Sequence, residues 1–223
     1  MGADQLSYFD RRGAREATPI ETGRLNHPIV SPDGRWLAFD REEGGNSDIW
    51  LRDLKRGVTS RFSFAKSSEW GPVFARDGER IFFAREEGGG RWSIVARPLG
   101  SGAEVVLHTA ARRVSPPIVA PDGRGLLIAQ FGAGASNLAL LDLEHPGEPT
   151  PVTVTPEFSE FRASFSPDGR WLVFQSDESG QTEIYVQPFP GPGRKWQVST
   201  AGGSFPIWTP GGREIFYRDA AQR

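Results

Sequence analysis

The sequence predicts an all-β protein, a β-propeller of four-stranded antiparallel blades, and three observations carry that reading. A turn motif recurs at blade-length intervals. Each copy is followed by the same order of apolar and polar segments. No stretch keeps a helical period over about ten residues without a Gly or Pro breaker, the nearest being Phe158, Phe161 and Phe165, which straddle a loop into a strand when aligned by repeat.

The motif is Ser31-Pro32-Asp33-Gly34-Arg35, with copies at Arg76-Asp77-Gly78, Pro121-Asp122-Gly123-Arg124, Ser166-Pro167-Asp168-Gly169-Arg170 and the worn Thr209-Pro210-Gly211-Gly212-Arg213. From Asp33 to Asp77, Asp122, Asp168 and Gly211 the steps are 44, 45, 46 and 43 residues. A four-stranded blade occupies roughly 40 to 50 residues. Before four of the five turns stand a proline (Pro28, Pro72, Pro117, Pro206) and a few apolar residues, the mark of a short inner strand. Proline presets φ, Asp tolerates the next position and Gly accepts positive φ, so the segment forms a tight type I hairpin with a bulge.

The second strands read Trp36-Leu37-Ala38-Phe39, Ile81-Phe82-Phe83-Ala84, Leu126-Leu127-Ile128-Ala129, Trp171-Leu172-Val173-Phe174 and Ile215-Phe216-Tyr217. Successive apolar positions mean that both faces are covered, here by neighbouring sheets. Breaks follow at Glu42-Glu43-Gly44-Gly45-Asn46, Glu86-Glu87-Gly88-Gly89-Gly90, Gly132-Ala133-Gly134 and Asp177-Glu178-Ser179-Gly180, which read as turns. Third strands are expected at Asp48–Leu51, Trp92–Val95, Asn137–Leu140 and Glu183–Val186. More polar fourth strands are expected at Thr59–Phe62, Glu104–Leu107, Thr150–Thr153 and Lys195–Val198, where prolines and charges suit an outer edge.

These segments divide residues 1–223 into one propeller domain with blades of about 27–66, 67–110, 111–155 and 156–201 and half-blades at 1–26 and 202–223. In the first half-blade, Leu6–Asp10 and Glu16–Ile20 read as third and fourth strands, and Phe205–Trp208 and Glu214–Tyr217 read as first and second strands of the last. Closing the two against each other gives five blades; otherwise the chain is a fragment of a six-bladed or larger propeller.

Composition agrees. Glycine (27) and proline (18) make about a fifth of the 223 residues, against roughly 12% ordinarily. The net charge of -2, with basic and acidic residues interleaved, lacks the basic footprint of a nucleic-acid binder. No apolar run approaches about 18 residues, so these residues contain no helical membrane span. The absence of cysteine excludes disulfides, thiolate catalysis and cysteine zinc sites, and suits a cytoplasmic or a periplasmic, extracytoplasmic domain alike.

Over Leu6–Tyr217 the repeat resembles the TolB-type, WD-like propeller repeat of bacteria: Ser-Pro-Asp-Gly-Arg, a large apolar residue, then a strand such as Asp48-Ile49-Trp50 or Glu183-Ile184-Tyr185. The segment Glu183–Gly193, with Trp196-Gln197-Val198-Ser199 and Phe205-Pro206-Ile207-Trp208, is also similar to propellers fused behind bacterial serine/threonine kinases, and the repeat resembles those preceding prolyl-oligopeptidase-type hydrolases. Neither a kinase motif nor a hydrolase domain stands in this sequence, so the resemblance implies a sensor, scaffold or docking module rather than an enzyme.

Searches for chemistry point the same way. Ser63-Phe64-Ala65-Lys66 fits a Ser-x-x-Lys pattern but lies in a strand-to-loop stretch, not at a helix start. Asp177, Ser179, Gln181 and Glu183 alternate like calcium ligands, yet Pro188 stands where a bidentate Glu belongs. His27, His108 and His145 lack metal-ligand spacing, and no Gly-x-Ser-x-Gly elbow or dinucleotide fingerprint occurs. Glu42-Glu43 and Glu86-Glu87 read as solvated turn residues rather than a glycosidase pair. No cofactor or metal is therefore expected.

The expected site is the channel mouth, ringed by the loops before the inner strands. Its candidates are Arg24, Asn26, His27, Glu69, Trp70, Arg113, Ser115, Glu160, Phe161, Arg162 and Ser204. Aromatic and charged groups together suit a protein or peptide partner. Non-catalytic binding in a bacterial regulatory or envelope protein is the function expected. Alternatives are a propeller gating an absent hydrolase or peptidase domain, and a glycosidase- or lyase-type propeller enzyme.

Overall fold

Five first strands line up from blade to blade because each leaves its sheet through the same turn, and four of them enter it through the same bulge. The computed structural model describes residues 4–7, 14, 21–155, 157–191 and 193–220. In chain order, β1 (Asp4–Leu6) pairs with β2 (Glu21–Gly23) as a two-stranded sheet. The first full sheet is β3 (Leu25–Val30), β4 (Trp36–Glu43), β5 (Asn46–Asp53) and β6 (Val58–Arg61). The second is β7 (Glu69–Phe74), β8 (Arg80–Gly88), β9 (Arg91–Pro98) and β10 (Val105–Ala110). The third is β11 (Ile118–Val119), β12 (Gly125–Phe131), β13 (Ser136–Asp142) and β14 (Thr150–Pro151). The fourth is β15 (Glu160–Phe165), β16 (Trp171–Ser176), β17 (Glu183–Pro188) and β18 (Trp196–Gln197), and β19 (Gly203–Trp208) with β20 (Ile215–Asp219) ends the series. Each full sheet is an antiparallel meander in chain order, and no helix occurs among the described residues.

The repeated turn has one geometry throughout. In the first blade Ser31 Oγ donates to Asp33 and accepts from Trp36 N at 2.8 Å, while Arg35 N donates to Asp33 Oδ1 at 3.0 Å. Ser166, Asp168, Arg170 and Trp171 repeat that network in the fourth. Gly34, Gly78, Gly123, Gly169 and Gly212 all have φ between 65° and 76°. Successive turns also touch: a Cβ on Gly169 would lie 3.1 Å from Pro121 Cβ, and one on Gly212 3.4 Å from Pro167 Cδ. Glycine thus serves both the left-handed backbone and the approach of the previous blade. Ser166 first, then Arg170, hold the Asp168 carboxyl down to about 2. Whatever stability that turn carboxylate contributes is present above the usual aspartate range and lost as pH falls towards about 2.

Second strands bury both faces, as their continuous apolar runs predict. Ile81 and Phe83 face the first blade, joining Ala38, Ile49 and Leu51, whereas Phe82 and Ala84 face the third, joining Leu126, Ile128 and Val114. Leu127 and Ala129 then pack with Leu172, Phe174 and Tyr185 of the fourth. The core is therefore a series of slabs between blades, and each fully buried Phe in it contributes roughly 2 to 3 kcal/mol.

One expectation is corrected. Glu42 and Glu43 belong to β4 and pair with Ser47 and Asn46, leaving Gly44-Gly45 alone as the turn. Both glycines have positive φ, 61° and 84°, the requirement of a two-residue hairpin whose twist matches its strands. Likewise Glu86 and Glu87 lie within β8. At the ends, β1–β2 and β19–β20 are separate two-stranded sheets with no pairing between them among the described residues, as the fragment alternative has it. Of the expected strands in the first half-blade, Tyr8–Asp10 and Glu16–Ile20 lie outside the described residues.

Every inner strand except β11 carries a register shift at the same place: Asn26/Ile29, Trp70/Val73, Phe161/Ser164 and Ser204/Ile207. The residue in the bulge is left-handed each time, His27 (φ 48°), Gly71 (62°), Arg162 (52°) and Phe205 (55°). Gly71 has the strictest requirement, since a Cβ there would fall 2.0 Å from Pro116 Cβ. Substituting Gly71→Ala is expected to cost about 2 kcal/mol or more, through overlap and backbone strain together. Urea unfolding of the variant beside the parent protein measures it, and an unchanged midpoint would show that Pro116 yields freely.

Candidate functional site

The bulges bring inner-strand residues from four blades around one cavity of about 650 Å³. Seven of the eleven residues expected at the channel mouth line it: Asn26, His27, Trp70, Arg113, Ser115, Phe161 and Arg162. Its walls are otherwise mostly apolar and include Pro28, Pro72, Pro116, Pro117, Trp92 and Phe131. Trp70 stacks on Trp92 with ring centroids 4.8 Å apart and planes inclined by 20°. No Asp or Glu is among the lining residues.

The other four lie elsewhere. Arg24 is exposed and pairs with Glu42 at 2.8 Å. Glu69 and Glu160 are fully buried at the start of their inner strands. Arg85 binds Glu69 at 2.7 Å and reaches Glu104 at 2.6 Å, linking the inner to the outer part of the second blade. Glu160 accepts from the Thr155 hydroxyl. Ser204 is half-buried, its hydroxyl 3.5 Å from the Arg218 carbonyl oxygen. Burial raises both the Glu69 and the Glu160 carboxyls above their usual range, against the opposing pull of Ser63 and Arg85 on the former and of Thr155 and Thr153 on the latter.

The cavity sits where it does because of one repeated position on the second strands. Asp40 of the first blade caps the bulge of the next, its Oδ1 accepting from Gly71 N at 3.0 Å and facing His27 Nδ1 at 2.7 Å. Gln175 of the fourth blade caps the last bulge, with Oε1 accepting from Phe205 N at 2.9 Å. The same register position holds Ala84 in the second blade and Ala129 in the third, and both methyls line the cavity. Space absent elsewhere is thereby left open.

Two cations face it. Arg162 lies over the Phe205 ring at 4.6 Å, and Arg113 over Phe131 at 5.4 Å and Trp92 at 5.7 Å. Neither makes an ion pair among the described residues. Crowding by protein, and then the charge of Arg113, hold the Arg162 guanidinium below its ordinary value, although arginine stays charged at any physiological pH.

Other sequence patterns resolve into structure. Ser63 of the Ser-x-x-Lys stretch is buried and accepts from Ile49 N at 2.9 Å. Thr153 and Ser199 do the same for Leu138 N and Ile184 N, each at 2.8 Å. This hydroxyl clamp was legible as a Ser or Thr 14 or 15 residues after an Ile or Leu of the third strand, a signal that sequence reading missed. His108 takes its place in the second blade, buried opposite Ile94. The Asp177 carboxylate accepts from Ser159 N, and that of Glu183 from Ser199, Gly202 and Gln181, so the alternating oxygens serve local capping. His145 is exposed beside Asp142. No group of three or more His, Asp or Glu able to hold a metal occurs among the described residues.

The blades define a β-propeller whose fold is similar to that of TolB proteins. Tol-Pal system protein TolB of Anaeromyxobacter dehalogenans (strain 2CP-C) is 27% identical over 127 residues, which are 56% of this chain and 28% of that protein. TolB from Acinetobacter baumannii superposes with a TM-score of 0.75 at 18% identity, over 93% of this chain and 52% of that one. An oligogalacturonate lyase in complex with manganese gives 0.71 at 18% identity, over 92% of this chain and 61% of the lyase. The chain thus spans about half the length of the Acinetobacter protein. No family model matches it.

The buried glutamate gives a pH test. Because the folded Glu160 pKa is raised, its contribution to stability is full below 4.5, its ordinary value, and is lost as pH rises through the folded value. Denaturant unfolding of the parent and the Glu160→Gln variant is expected to show the parent losing ground to the variant between pH 4.5 and neutrality. A constant difference would mean that the buried carboxyl titrates as it does in the unfolded chain.

Proposed function

We propose that this chain is a non-catalytic propeller that binds a protein or peptide partner at the channel-mouth cavity, as a sensor or scaffold module of a bacterial regulatory or envelope protein. The observation that carries the reading is the cavity itself, an apolar and aromatic recess with a few polar groups at its rim. Such recesses bind extended side chains well, because desolvated aromatic and Arg anchors supply most of the energy of an interface. Likeness to a Tol-Pal system protein supports an envelope setting. One observation favours catalysis: His27 faces the cavity and is oriented by the buried Asp40, as a base would be. No second titratable acid lines the cavity to complete an acid and base pair, so binding is the better reading.

Peptides selected from a random display library on the parent protein should dock against Trp70, whose stacking with Trp92 makes intrinsic fluorescence a direct reporter. Trp70→Ala is expected to weaken them about tenfold or more, in the range of an interface anchor. Selected peptides that bind Trp70→Ala undiminished would place the binding surface away from the cavity.

A further inference from the structure

The bulge caps point to the chemistry of the ligand. At the junction from first to second blade, the left-handed residue Gly71 donates its N–H to Asp40, and at the junction into the last half-blade Phe205 donates to Gln175. The corresponding pair in the second and third blades is Ala84 and Pro116, and it is self-consistent: alanine offers no acceptor and proline has no N–H to satisfy. The pair in the third and fourth blades is Ala129 and Arg162, and it is not. Arg162 keeps a backbone N–H, yet the preceding blade supplies a methyl where the first and fourth blades supply an oxygen. Arg162 is an exposed residue, so with no side-chain acceptor from the preceding blade its N–H is left for solvent or a ligand to satisfy. Arg113 and Arg162, neither of which makes an ion pair among the described residues, both line the cavity, and no carboxylate does.

We propose that the cavity binds a peptide through a carboxylate, which occupies the acceptor place vacated at Ala129 and is held by the Arg162 N–H and the Arg113 and Arg162 guanidinium groups. The inference rests on the peptide-binding reading and names its chemistry. In effect the ligand completes the repeat, doing for Arg162 what Gln175 does for Phe205. Apolar residues beside the carboxylate pack on Trp70 and the proline wall. A sugar acid fits less well, because its hydroxyls need polar partners and the Ser115 hydroxyl is already spent, donating to Pro116 O and accepting from Ala129 N.

Isothermal titration of the 223-residue protein tests this with three synthetic probes. The first is the blocked hexapeptide Ala-Phe-Pro-Glu-Phe-Ala; the second replaces its Glu by Gln; the third is the Gln peptide with a free C-terminal carboxylate. The Glu peptide is expected to bind about tenfold or more tightly than the blocked Gln peptide, as a charge-assisted contact requires. Equal strength in the third probe would assign the site to a C-terminal carboxylate and also supports the proposal. Ala129→Gln, which supplies the side chain found in the fourth blade, and Arg162→Gln should each abolish the preference, with Arg113→Gln as a further variant if either melts early by circular dichroism. Equal binding of Glu and Gln peptides, both weakened by Trp70→Ala, would overturn the carboxylate assignment and leave peptide binding standing. Failure of all three peptides, or binding of trigalacturonate in their place, would overturn both.

Discussion

The left-handed bulge in four of the five inner strands is the constraint on which the remaining structure turns. Five blades' first strands converge, and flat strands would bring their backbones together without relief. One extra residue per strand bends the chain and re-aims a side chain, and the cost of positive φ in His27, Arg162 and Phe205 is borne at the place where the blades meet. Capping by Asp40 and Gln175 shows how such strain persists: a neighbouring blade fixes the strained N–H with a side-chain oxygen. Blade-to-blade packing and bulge geometry are therefore one problem, and the close approach of Pro116 to Gly71 is its tightest point.

Outside the bulge, the turns solve the opposite requirement. There the blades need regular spacing, and the nested series Pro32 to Gly78, Arg76 to Gly123, Pro121 to Gly169 and Pro167 to Gly212 repeats one contact four times. Local capping by Ser31 and Asp33, or by Ser166 and Asp168, keeps the turn shape independent of the blade around it. Rigid turns and slabs of core between blades leave the inner strands as the place where sequence can vary without loss of the fold.

Architecture was legible because it is written in local, periodic signals. Pro-Asp-Gly marks a turn through φ preferences alone, and runs such as Ile81-Phe82-Phe83-Ala84 declare a strand covered on both faces. What depends on a partner far along the chain was harder to read. Glu69 and Glu160 looked like rim carboxylates, but Arg85 and Thr155, remote or unremarkable in sequence, take them into the interior. Glu42 and Glu43 looked like turn residues because acidic pairs favour loops, whereas Gly44-Gly45 alone satisfies the hairpin and leaves them paired in the strand. Closure of the two half-blades rests on long-range pairing for which no local signal exists, and β1–β2 and β19–β20 do not join among the described residues.

The site itself illustrates why repeat proteins resist functional reading from motifs. Trp70, Phe161 and Arg162 were visible as aromatic and charged residues near inner strands, but the cavity owes its position to residues with no chemistry, Ala84, Ala129 and Pro116. Their meaning emerges only by comparing equivalent positions in successive blades, where Asp40 and Gln175 show what a filled junction looks like. A departure from the repeat that removes a donor and its acceptor together, as Pro116 and Ala84 do, is compatible with packing alone. One that removes the acceptor and keeps the donor, near two guanidinium groups that make no ion pair among the described residues, is not accounted for by packing. In a fold built by repetition, function is thus most readable where one copy lacks what its neighbours need.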